Sequence, residues 1–111
     1  MYSFKQFMNE AWEDYEKASD ERKAELIKHH ENLTKEHLAK EKEHRKVKAS
    51  DPKGLEHNIA ATAHRSAATL HSHVVSGIEH KIHGLAGVNQ FKIDADKMSK
   101  AAHARSELAN K

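Results

Sequence analysis

A single proline interrupts this chain of 111 residues, and its position constrains the fold more than any other feature. Pro52 follows Asp51, and upstream of that pair the stretch from Asp20 to Lys48 contains neither Gly nor Pro. That stretch is rich in Lys, Glu and Leu, all good helix formers. Asp51 reads as an N-cap with Pro52 at the first helical position, where its missing N–H costs nothing. The spacing therefore predicts one helix over about 20–48 and a second over about 52–83. Alanines crowd the first half of the second (Ala60, Ala61, Ala63, Ala67, Ala68), and small residues allow close helix approach, so the two form an antiparallel hairpin. Ile59, Ala63, Ala67, Leu70, Val74, Ile78, Ile82 and Leu85 read as its apolar face.

A further helix is predicted at each end. Phe4, Phe7, Met8, Ala11, Trp12 and Tyr15 recur at helical spacing over about 4–17, and Ser3 with Gln6 forms a capping box. Gly84 to Gly87 ends the long second arm of the hairpin, and Val88 to Ile93 reads as a connector. Asp94 reads as the cap of a last helix over 95–109, with Met98, Ala101, Ala102, Arg105 and Leu108 facing inward. The expected fold class is all-α, an elongated helical hairpin or bundle of three to four helices.

Composition supports long helices with little core. Apolar residues make up 37% and charged residues 32%, against about 45–50% and 25% in an average globule. Charge is uneven. Residues 1–21 carry two bases against six acids, and the remainder is mildly basic. Lys40, Lys42, Arg45, Lys46 and Lys48 are the residues a weak nucleic-acid contact would use, although no aromatic residues are interleaved with them. No apolar run approaches the ~18 residues of a membrane span. Without Cys there is neither disulfide nor thiolate metal site.

Eleven histidines are the compositional oddity. His30, His37 and His44 are spaced by seven, as are His57, His64 and His71. On the first arm of the hairpin, Leu26, Leu33, Lys40 and Val47 share the seam with them. So polar a seam reads as a solvated stripe on a weakly packed helix pair. Chelation within a helix needs ligands three or four apart. His80 with His83, and His37 with Glu41 and His44, are the metal candidates by that test, though neither is an H-E-x-x-H sequence. Histidine's ordinary pKa near 6.5 also allows pH sensing. No nucleophile elbow, phosphate loop or dinucleotide fingerprint appears, so no enzyme and no cofactor are expected.

Five of the six aromatic residues lie in the first fifteen positions, and Phe4, Phe7, Met8 and Trp12 are the expected docking residues. MYSFKQFMNEA resembles the capsid-targeting leader of internal head proteins of T-even-type tailed bacteriophages. In that family a Met-x-x-(Phe/Tyr)-x-x-Phe leader is followed by an aliphatic-x-Glu site, cut after the Glu. Phe4 and Phe7 match the leader, and Met8, Glu10 and Ala11 match the processing site, with Met8 where the family has Leu or Ile. The resemblance implies a leader over 1–10 and a single all-α unit over 11–111. It implies a non-enzymatic virion protein of the phage head, present in the host cytoplasm during assembly. Its partners would be other virion or scaffold proteins, with weak DNA contact and self-association as further options and no membrane. A His-rich metal-binding module and a weak nucleic-acid binder are the alternatives.

Overall fold

The computed structural model describes residues 14–15, 17–79 and 87–111, and among them every regular element is helical. Helix α1 spans Asp20–Arg45, α2 spans Gly54–Glu79 and α3 spans Gly87–Ala109. The all-α expectation holds, with three helices among the described residues. The expected helix over 4–17 lies mostly outside them. Of its residues, Asp14, Tyr15 and Lys17 are described and none is assigned to a helix; Lys17 N–H donates to Asp14 O at 3.2 Å.

Local chemistry accounts for the ends of α1. The Ser19 hydroxyl accepts from Arg22 N at 3.1 Å, Asp20 and Glu21 occupy the first turn, and Lys42, His44 and Arg45 the last. Acids at the start and bases at the end suit the helix dipole. The break falls where expected but differs in detail. Helix α2 begins at Gly54, two residues after Pro52. Asp51 Oδ1 accepts from Lys53 N at 2.8 Å and Asp51 O accepts from Gly54 N at 2.8 Å, so Asp51 closes a turn before the helix starts. Gly54 is sterically required. A Cβ there would stand 2.8 Å from Lys48 O and 2.9 Å from Ala49 O.

Helix α3 begins at Gly87, not Ala95, so the expected connector over 88–93 is two turns of helix. Val88, Phe91 and Ala95 give it an inward face from the start. Asp94 is no cap; its carboxylate accepts from Gln90 one turn earlier at 3.0 Å. Gly87 turns the chain into α3 with φ of 53°, a conformation open to glycine at little cost.

Helix α2 lies between α1 and α3 and packs on both. Tyr15, Leu26, Val74, Ile78, Val88 and Ala95 form an apolar cluster, with Ala18, Ile27, Leu70 and Phe91 against it. The other buried residues include alanines, Ala60, Ala61, Ala67, Ala68 and Ala102, and histidines, His37, His44, His64 and His71. The inward faces expected for α2 and α3 therefore need correction. Ile59 is 39% exposed and Leu108 48%, and Ala101 and Arg105 are exposed too. Seven-residue rows set the real faces: His57, His64 and His71 on α2, and Val88, Ala95, Ala102 and Ala109 on α3.

Candidate functional site

The most distinctive chemistry of the molecule lies in its core. Among the described residues, His30, His37, His64 and His71, with Val74, are the largest fully buried side chains. Because α1 and α2 run antiparallel, a step of seven forward on α1 meets a step of seven backward on α2. His30 faces His71, His37 faces His64 and His44 faces His57, each pair joined Nδ1 to Nδ1 at 2.7 Å. The solvated stripe expected from the sequence is instead a paired, buried ladder. Polarity did not keep these rings out of the core because each polar atom found a partner there.

Helix α3 supplies the remaining partners from two serines that are also seven apart. Ser99 Oγ lies 2.9 Å from His37 Nε2 and 2.7 Å from His71 Nε2. Ser106 Oγ lies 2.8 Å from His44 Nε2 and 2.6 Å from His64 Nε2. The Tyr15 hydroxyl closes one end at 3.0 Å from His30 Nε2. Among the described residues no buried side-chain nitrogen or oxygen lacks a hydrogen bond. Tyr15 is itself held by α3: its N–H donates to Asn89 Oδ1, and Asn89 Nδ2 donates to Asp14 Oδ1, both at 2.8 Å.

Burial pushes five of the six ladder histidines, His30, His37, His44, His64 and His71, toward the neutral form. Burial, then the neighbouring His71, His29 and Lys92, push His30 down to about 3. Burial first, then the surrounding imidazoles, push His64 and His71 down to about 4, with Lys40 also acting on His64. His37 and His44 are lowered as well, chiefly by burial, against which Glu36 and Glu43 act in the opposite direction. Nearby, the buried Lys92 ammonium stands 3.9 Å from Asp96 and lies over the Tyr15 ring, 5.6 Å from its centre.

The docking residues Phe4, Phe7, Met8 and Trp12, the processing residues Met8, Glu10 and Ala11, and the metal candidates His80 and His83 lie outside the described residues. His37, Glu41 and His44 are described, and their side chains do not converge. Glu41 pairs with Arg45 at 3.0 Å and Arg65 at 3.6 Å, while both histidines turn into the ladder. Among the described residues no three His, Cys, Asp or Glu side chains are placed to hold a metal ion. The paired Nδ1 atoms are also too close for zinc, because ligands at about 2.0–2.1 Å in tetrahedral geometry stand about 3.3 Å apart. Of the basic residues considered for nucleic acid, Arg45 is engaged with Glu41 and with Asn58 Oδ1 at 3.2 Å. No helix among the described residues is long and apolar enough to cross a membrane.

Sequence reasoning missed Tyr15, Ser99 and Ser106 as members of the site. The matching seven-residue steps of His and Ser on three helices were the available signal. No family model, curated protein or solved structure matches this chain.

Proposed function

We propose that this chain is a non-enzymatic virion protein of the tailed-phage head type. Residues 1–10 act as an addressing leader, and residues 11–111 are the helical body it carries. The leader motif motivates the reading, and the way the body is anchored supports it. Tyr15 is 4% exposed, packs in the apolar cluster and caps the ladder through its hydroxyl. The adjacent Asp14 holds Asn89. A cut after Glu10 thus falls before Asp14 and Tyr15, which are anchored on α3 and in the core, and leaves the whole ladder on the product. The apolar stripe that begins at Phe4 ends in the body's core at Tyr15, while Phe4, Phe7, Met8 and Trp12 remain the docking residues of the proposal. Its partners are other head or scaffold proteins.

Deletion of residues 2–10, with thermal stability and particle incorporation measured together, tests this. Unchanged stability with lost incorporation, and a mature amino terminus at Ala11 in purified particles, support the reading. A large fall in melting temperature, or full incorporation without the leader, overturns it.

A further inference from the structure

The hydrogen bonds of the ladder link into one unbranched wire. It runs Tyr15, His30, His71, Ser99, His37, His64, Ser106, His44, His57. A neutral imidazole has one N–H and one bare nitrogen, and a serine hydroxyl has one hydrogen. Among the described residues, Ser99 and Ser106 each bond only their two imidazoles. Each inner member of the wire must therefore donate on one side and accept on the other. It follows that all its bonds point the same way.

The ends select the direction. A phenol is a stronger donor than a neutral imidazole N–H, so Tyr15 donates to His30 Nε2. Following the wire from there, His30, His37 and His44 of α1 all carry hydrogen on Nδ1. His57, His64 and His71 of α2 all carry it on Nε2. His57, at the far end, is half-buried.

One added proton can be held without breaking a bond. The imidazolium donates both ways, the bonds between it and Tyr15 reverse, and the Tyr15 oxygen accepts from His30 Nε2. A second proton cannot be held so. Within a pair, N–H would meet N–H across 2.7 Å. In different pairs, a serine between them must accept from both sides, and its own hydrogen loses its partner. The two cations would also lie close, since the His37 and His71 rings stack at 5.7 Å, as do those of His44 and His64.

The surroundings give little relief. From α1, His29 and Lys40 add positive charge, and Glu36 and Glu43 oppose it. From α3, Lys92 and His103 add positive charge, and Asp96 is drawn to Lys92. Helix α2 contributes the three histidines themselves.

From this connectivity we infer that the ladder is an acid-operated latch: it clasps the three helices while it is neutral, accepts a single extra proton, and opens when more arrive. The latch is independent of the amino-terminal leader and does not rest on the virion reading.

The test uses the full chain. At pH 8, long-range proton–nitrogen NMR spectra should show one tautomer for His30, His37 and His44 and the other for His57, His64 and His71. Mixed tautomers within either helix overturn the wire. On acidification, helical circular dichroism should fall below pH 6.5 with more than one proton taken up per molecule, and should recover at pH 8. In His37→Leu/His64→Leu the fall should shift to lower pH and take up fewer protons. Retained helicity at pH 4 with His37 and His64 both protonated overturns the latch, whether or not the variant folds. So does a folded double variant whose transition is unchanged.

Discussion

His37 and His64 face each other through their Nδ1 atoms at 2.7 Å, although they are 27 residues apart in the chain. Both rings are inaccessible to solvent, at 1% and 0% exposure. One must be donor and the other acceptor, so the pair holds only while at least one ring is neutral. The centre of the fold is thereby tied to pH.

The sign of that dependence follows from linkage. His30, His64 and His71 titrate at about 3, 4 and 4 in the fold, and at about 6.5 once unfolded. Between those values the unfolded chain binds more protons, so stability rises with pH. As pH falls from 6.5 toward 4, each histidine still unprotonated in the fold removes about 1.4 kcal/mol per pH unit. Urea midpoints at pH 7.5 and pH 5 check this, and the midpoint at pH 5 should be clearly lower.

Tyr15→Phe removes a hydroxyl and almost no volume. His30 Nε2 then loses its 3.0 Å partner in a buried position. An orphaned buried polar group costs about 1–3 kcal/mol, and chemical denaturation at pH 7.5 should show a loss in that range.

Ser99→Ala severs the wire at its second helix crossing and takes a partner from both His37 and His71. A loss of about 1–3 kcal/mol is expected. Ser72→Ala, at an exposed position on α2, should stay within about 0.5 kcal/mol of the parent. Equal effects from the two substitutions would mean that the serine bridges contribute nothing to stability.

Gly54→Ala should destabilise although alanine favours helix. Its Cβ would sit 2.8 Å from Lys48 O and 2.9 Å from Ala49 O, both rigid backbone atoms. Forced overpacking of this kind costs about 1–3 kcal/mol, more than the ~1 kcal/mol helix propensity returns. Thermal melts of the two proteins check it.

Much of the secondary structure is local chemistry and was legible without coordinates. The unbroken run of helix formers from Asp20 and the break at Asp51 and Pro52 each act within a few residues, although Asp51 closes a turn and does not cap the helix. So α1 and the break to α2 could be read directly. The start of α3 could not, because Asp94 resembles a cap by residue type, and only packing of Val88 and Phe91 against the cluster shows that helix has already begun.

Helix propensity and periodicity, which are properties of neighbouring residues, are enough to specify the helices of the described residues and two histidine rows of seven-residue period. Whether those rows face water or each other was settled by tertiary structure alone. Alone on a helix, each imidazole in the core would be a desolvated polar group at a cost. The antiparallel register of α1 and α2 pairs the rings, and Ser99 and Ser106 on α3 complete them. Burial became favourable only when all three helices were in place, and no single stretch of the chain contains that information.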